Sequence, residues 1–382
     1  MAAFFTRERF GRPQLYASLL LLIFAAQCLW IIWLLLPRQG EIDKLRRGLA
    51  QWRHGEVAVG PESPLVALTA SAAVAPFHDS TADRTELKTR AVALLSRLPF
   101  LLIGLLRGAS LWYVTRRLYG NSGGYIALTL YCFSLPIILS SLVVNGEGPS
   151  AWGFFGAIFS GIALSHTLYA LGESSRQQLT GFRQWRWRRI VLLGIAFGIA
   201  IGAQHAVIFV VPLALGFMLY LAPRRHTACL AITAVASTIA FFVLWATYFF
   251  RLDLMSYGMT QTSWFPRERY SVTHVGTWQG YGFPLLCLAA GALLTYGLWR
   301  RARYFGNSAP LLVLILLAAG SLIAPWALVF EQHAITFAFV FIAGVMADLL
   351  ETAQRKWVLP GLLLLLFAHA ASMLTKVFWI YL

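Results

Sequence analysis

The sequence predicts an all-α polytopic membrane protein with about eleven transmembrane helices. Three observations carry that reading. Of the 382 residues, 59% are hydrophobic and 12% charged, a balance that leaves too little polar surface to clothe a water-soluble globule. The apolar residues gather into runs close to the roughly 20 residues that cross a bilayer as helix. The basic residues, whose excess gives a formal net charge of +16, lie in short clusters between those runs. That is the distribution of positive-inside anchors, so the charge does not call for a nucleic-acid partner.

From the N-terminus, Arg7, Arg9 and Arg12 precede an apolar run from 15 to 36. The run is long for a signal sequence and ends at Pro37-Arg38 without a small-x-small cleavage pattern, so it is expected to stay as an anchor. Further spans are expected over 91 to 115, 123 to 144, 150 to 171, 190 to 204, 205 to 222, 227 to 250, 281 to 299, 309 to 330, 334 to 350 and 357 to 379. The run from 190 to 204 is short, as in a tilted or partly re-entrant helix, which needs protein or a wet cavity at its ends. An N-terminus in the cytoplasm puts Arg116 and Arg117, the run Arg183 to Arg189, Arg224 and Arg225, Arg300 to Arg303, and Arg355 and Lys356 all inside. The C-terminus then falls outside, and residues 1 to 382 read as a single membrane domain.

Two outer loops are long enough to build a site, 37 to 90 and 251 to 280. In the first, Ile42, Leu45, Leu49 and Trp52 recur at helical spacing, which predicts an amphipathic helix on the membrane surface. Leu65 to Phe77 is too short to span and reads as a second interfacial helix. The polar stretch His78 to Arg90 reads as a mobile loop.

No phosphate-binding glycine loop or HExxH pattern occurs, and the longest inner loop, 173 to 189, is too small for a nucleotide-binding domain. The eight histidines show no metal-ligand spacing, so no cofactor is predicted; a divalent metal stays open without support from ligand spacing. Cys28, Cys132, Cys229 and Cys287 fall inside apolar runs without a close pair and read as buried small residues. Carboxylates number 15, and most map to the outer side, among them Glu41, Asp43, Glu56, Glu62, Glu147, Asp253, Glu268 and Glu331. An acid at a membrane mouth is costly to bury and therefore a functional candidate; for Glu147, just ahead of Pro149, helix capping is the equal alternative. Arg107 lies deep enough to need a partner inside the bundle, while Arg97 sits nearer the outer end. Arg267, Arg269 and Tyr270 suit a lipid phosphate, or a solvated loop. Gly194, Gly198 and Gly202 at four-residue spacing favour close helix packing.

The order of features from the first loop onward resembles a known family. Gly40-Glu41, Arg47-Gly48, Trp52-Arg53-His54-Gly55-Glu56 and Gly60-Pro61-Glu62-Ser63-Pro64-Leu65 are followed by Arg97-Leu98-Pro99 and Tyr113. Then come Arg116-Arg117-Leu118-Tyr119-Gly120, Ser134-Leu135-Pro136, Glu147-Gly148-Pro149, the three spaced glycines and Pro212. This succession, over about residues 35 to 215, resembles the phospholipid-carrier-dependent glycosyltransferases, kin of protein O-mannosyltransferases and lipid A aminoarabinose transferases. The resemblance implies a GT-C fold in a bacterial inner membrane. It further implies a sugar donor on a polyprenyl phosphate and transfer at the outer, periplasmic face. It also implies roles. Glu41, or else Asp43, stands as the catalytic base, Glu147 positions the acceptor or the base, Arg97, Arg267 or Arg269 holds the departing phosphate, and Glu62, Ser63 and Tyr270 belong to the substrate loops. Because Glu41 and Asp43 are two residues apart on one helix, at most one of them should face the site. Four positions depart from the family: Gly40 stands where it has its leading Asp, Glu147 for a second-loop Asp, Ser63 for a His and Gln204 for a Lys.

Two other readings stay open. One is a catalytically inactive GT-C relative serving as a structural or lipid-binding subunit of a larger membrane complex, with other membrane subunits as partners. The other is a transporter or flippase, against which stand the lack of a clear inverted repeat and the few ionisable residues at mid-span.

Overall fold

The computed structural model of the chain describes residues 12 to 57, 64 to 174, 187 to 261, 283 to 299, 305 to 323, 327 to 351 and 355 to 381. Among the described residues all regular structure is helical. Six helices among the described residues are long and apolar enough to cross a membrane: Pro13–Leu34, Arg90–Cys132, Glu147–Leu168, His226–Thr247, Gln332–Glu351 and Val358–Thr375, with shorter apolar helices at His205–Leu221, Pro284–Leu298 and Ser308–Gly320. The protein is an integral membrane protein of all-α, polytopic architecture. The chain divides into two compact units.

The first unit contains α1 (Arg12–Leu34), α5 (Arg90–Cys132), α6 (Leu135–Leu142) and the four C-terminal helices α12 (Phe283–Trp299), α13 (Phe305–Ile323), α14 (Ala327–Glu351) and α15 (Arg355–Tyr381). The 43 residues of α5 are a hairpin. Gly120 has φ 80° and ψ −171°, a left-handed turn that a residue without Cβ adopts freely, and the chain doubles back there. The Tyr131 hydroxyl donates to the Gly104 carbonyl at 2.6 Å, and Arg116 Nε donates to Asn121 Oδ1 at 2.8 Å. An uninterrupted helix would hold residues 104 and 131 about 40 Å apart. The first arm is the span expected at 91 to 115, and the second covers only the start of the one expected at 123 to 144. The second arm stops short at Cys132, because Pro136 lacks the N–H that would continue it, and α6 starts afresh from Ser134.

Helix α1 packs on α5 and α6, α14 packs on α5, α12 and α13 pack on α14, and α15 touches α5, α12 and α14. Phe337, Phe339, Val340 and Ala343 of α14 are buried. Arg107, 1% exposed, donates to the Thr336 hydroxyl and the Gln332 carbonyl and lies over the Tyr131 ring at 5.9 Å. This polar knot, linking both arms of the hairpin to α14, supplies the partners that a guanidinium at membrane depth requires.

The second unit contains α2 (Gln39–His54), α3 (Pro64–Ser71), α4 (Arg84–Leu87), α7 (Glu147–Ser174), α8 (Trp187–Ala203), a 3₁₀ turn (His205–Phe209), α9 (Val210–Leu221), α10 (His226–Thr247) and α11 (Leu252–Gln261). Helix α8 packs on α7 and α10 through its small residues. A Cβ on Gly194 would meet Ile239, one on Gly198 would meet Val243, and one on Gly202 would meet Leu65 and Leu244. This is the close approach the four-residue spacing predicts. The short run ends at Gln204, which is extended at φ −146°, before the chain re-enters helix.

The first loop is helical where its periodicity predicts. Ile42, Leu45 and Leu49 of α2 are buried, and Gly48 lets α3 come so close that an added methyl would strike the Ala67 carbonyl and the Ser71 hydroxyl. Helix α3 is covered by α2, α8 and α10, with Val66, Ala67, Leu68 and Ala70 buried. The stretch after it is tied down. Arg53 donates to the Ala75 carbonyl at 2.7 Å, Arg46 to that of Ala82 at 3.0 Å, and His54 meets Ser80 at 3.2 Å. It ends in α4, whose Leu87 is fully buried. The polarity of 78 to 90 reflects these surface bonds and does not make it a bare loop.

Candidate functional site

Two of the acids that the sequence singles out, Glu41 and Glu147, belong to the second unit, where Glu41 bonds the segment that leads into Glu147. Helix α2 turns Glu41 into the protein, 4% exposed. Its Oε1 accepts the Val144 N–H at 3.1 Å. One helical turn later, Lys44 Nζ donates to the Val144 carbonyl at 3.0 Å. The two side chains hold both polar ends of one residue, a clamp open to positions three apart because they share a helix face. Asp43, on the opposite face, is exposed and accepts from Gln39 at 2.9 Å.

The clamped residue leads directly into α7, whose first turn carries Glu147, partly buried. The entry is fixed from below as well. A Cβ on Gly146 would run into the Ala203 carbonyl and the Gln204 side chain, and the Ser150 hydroxyl donates to the Ala200 carbonyl at 3.0 Å. Glu147 therefore stands at a helix N-terminus, where the backbone dipole favours negative charge, on a segment gripped by α2 and pressed onto the end of α8. Asn145 and Gln204 lie in this corner. Among the described residues, Asn145 Oδ1 and Gln204 Oε1 are buried and accept no hydrogen bond. Two buried amide oxygens without donors mark the corner as a place where polar groups are left unsatisfied. Next in the chain, His205 Nε2 lies 3.4 Å from the hydroxyl of Tyr248, and both residues are buried.

Arg97 belongs to the first unit, 2% exposed. Its guanidinium donates to the Leu35 carbonyl at 2.7 Å and the Leu36 carbonyl at 3.2 Å, just past the C-terminus of α1. It satisfies carbonyls that the helix leaves without partners and complements the negative end of the dipole. Nearby, Arg90 lies over the Trp33 ring at 5.5 Å. Glu62, Ser63, Arg267, Arg269 and Tyr270 lie outside the described residues. No group of three or more His, Cys, Asp or Glu side chains is gathered to hold a metal ion among the described residues.

The clamp partner Lys44 and the amide Asn145 are the members of this corner that sequence reasoning missed. Lys44 had a signal in its spacing from Glu41; its partner Val144, 100 residues away, had none.

No protein-family model matches the sequence, and no curated protein matches it. Solved structures do. The chain is similar to the Archaeoglobus fulgidus oligosaccharyltransferase solved with Zn and sulfate, at TM-score 0.57 and 13% identity over 94% of this chain and 52% of that one. The apo form of that enzyme gives TM-score 0.54 and 12% identity, covering 94% and 56%. The form tethered to an acceptor peptide containing the NVT sequon gives 0.57 and 11%, covering 94% and 55%. The chain thus shares its fold with these oligosaccharyltransferase structures and spans about half of their length.

Proposed function

We propose that the protein is a membrane glycosyltransferase that moves a sugar from a polyprenyl-phosphate donor to an acceptor at the outer, periplasmic face of a bacterial inner membrane, with its N-terminus inside and its C-terminus outside. The observation that supports this most is the likeness of fold over 94% of the chain to oligosaccharyltransferases. The clamped acidic corner adds a place for chemistry, and the succession of landmarks from Glu41 to Pro212 points to the lipid-linked donor class.

Transfer requires a base to take the acceptor proton while the bond from sugar to phosphate breaks, and positive charge to receive the departing phosphate. Glu147, at the N-terminus of α7, is the proposed base; Glu41 accepts the Val144 N–H through Oε1. Glu41 then orients the α7 entry and contributes negative charge beside it. Lys44 adds a positive charge on the same helix face. Arg267 and Arg269 are the proposed phosphate ligands, because Arg97 is committed to the end of α1. Asn145 and Gln204 accept hydrogen bonds from the acceptor or the sugar. Glu62, Ser63 and Tyr270 complete the substrate loops, and Asp43 faces away.

Membranes carrying Glu147→Gln are expected to transfer sugar about 10²- to 10⁴-fold more slowly than wild type, the range of a positioned general base. Unchanged transfer removes Glu147 from the mechanism. One observation favours the second reading, an inactive GT-C-like subunit of a membrane complex: Gly40, where the resembled family has Asp, offers no carboxylate. A Cβ there meets nothing within 4 Å, so Gly40→Asp fits. Transfer that appears only in Gly40→Asp would support the inactive subunit.

A further inference from the structure

Helix α10 ends in a turn whose backbone asks for glycine. The Phe250 N–H bonds the Trp245 carbonyl and the Phe249 N–H bonds the Ala246 carbonyl, the pair of bonds that closes a helix through a left-handed residue, usually glycine. Here Phe249 occupies that place at φ 50° and Phe250 follows at φ 61°. Bulky side chains rarely adopt this region, and residues held there repeatedly mark functional positions.

Burial does not explain the two rings. Phe250 is 61% exposed and Phe249 39%. Phe249 meets Trp52 edge to face at 6.1 Å and Phe250 meets Trp245 at 5.2 Å. Trp52 itself is 48% exposed, held by its indole N–H on the Leu68 carbonyl at 3.2 Å. Phe241 and Phe242, on the last turns of α10, stand open and pack on Trp245. Leu252 and Tyr257 of α11 continue the exposed apolar surface. All these residues belong to the second unit.

The position of the cluster says what covers it. His226–Thr247 is long and apolar enough to cross a membrane, and residues 249 and 250 follow its C-terminal end, where such a helix leaves the hydrocarbon. Aromatic residues concentrate at that depth because an amphipathic ring suits the boundary between acyl chains and head groups. Arg53 and Arg251, exposed and next in sequence to Trp52 and Phe250, lie beside the cluster, Arg53 donating to the Ala75 carbonyl and Arg251 pairing with Asp253 at 3.3 Å, and basic side chains at this depth suit lipid phosphates. We infer that Trp52, Phe249, Phe250 and Trp245 form a phospholipid-binding clasp, in which strained phenylalanines are kept in a glycine turn so that their rings engage the glycerol and upper acyl region of a bilayer lipid. The clasp fixes the C-terminal end of α2 at the depth where α10 ends. It does not depend on the catalytic reading, since no acid of the candidate site takes part.

The test uses the full chain in proteoliposomes of phosphatidylcholine brominated either at the shallow 6,7 or the deep 11,12 acyl positions. The Trp52 fluorescence is isolated as wild type minus Trp52→Phe. It is expected to be quenched at least twice as strongly by shallow as by deep bromines. In the Phe249→Gly, Phe250→Gly background, where the backbone keeps its preferred turn, the shallow quenching should fall by at least half while the unfolding temperature in detergent holds or rises. A Trp52 signal that neither lipid quenches would overturn the clasp. So would glycine variants that lose stability in detergent while quenching is unchanged, because the rings would then serve internal packing alone.

Discussion

Glu41 and Lys44 hold opposite ends of Val144, and the clamp makes separable demands on its members. Glutamine at 41 keeps a carbonyl oxygen for the Val144 N–H, whereas alanine leaves that buried donor without a partner. Glu41→Ala is therefore expected to lose about 1 to 3 kcal/mol of stability and Glu41→Gln about 1 or less, measured by chemical denaturation in detergent. Equal losses would remove the clamp. Arg97→Met should cost about 2 kcal/mol or more by abandoning the Leu35 and Leu36 carbonyls at the end of α1. At this scale the sequence was partly legible. The two-residue offset of Glu41 and Asp43 put them on opposite faces, and the depth of Arg107 called for internal partners. Arg97 reads differently in place: chemistry suggested a phosphate, while folding presents it with two nearer acceptors. Partners distant in sequence, such as Val144 for Glu41 and Thr336 for Arg107, leave no local pattern to read.

Elements depend on where backbones touch or turn. Gly198→Leu would force α8 away from Val243 of α10 and is expected to cost about 1 to 3 kcal/mol, visible as a lower unfolding temperature. Wild-type stability in that variant would contradict the close packing. Gly120→Val should destabilise the α5 hairpin by about 1 kcal/mol or more, because a β-branched residue resists φ 80°. The helical period of α2 and the glycine spacing of α8 were visible in the sequence because each is local. The break between the second arm of α5 and α6 was written in Pro136 but overridden by the apolar run around it. Helix α3 read as interfacial because its composition is apolar throughout; only the packing of α2, α8 and α10 shows what covers it.

For the whole molecule, alternation of apolar runs and basic loops carried the fold class, since both follow from the lipid solvent and not from any particular contact. The orientation proposed from those loops has its own check. Single cysteines at Arg53 and Arg225, in a background lacking the four native cysteines, are expected to react with an impermeant maleimide from the outside and the inside of intact cells respectively; the reverse pattern would invert the topology. The site was less legible than the fold, because its acids are few, its amides carry no motif, and Gly40 breaks the pattern at the leading position. The central claim is transfer from a lipid-linked sugar, and it is tested most directly by the release of polyprenyl phosphate, which occurs whatever the acceptor. Proteoliposomes supplied with polyprenyl-phosphate hexoses and pentoses and with periplasmic extract are assayed for free polyprenyl phosphate by mass spectrometry. Wild type is expected to release it at least about 10²-fold faster than Glu147→Gln, and equal rates in the two proteins, at the level of empty vesicles, would contradict the claim.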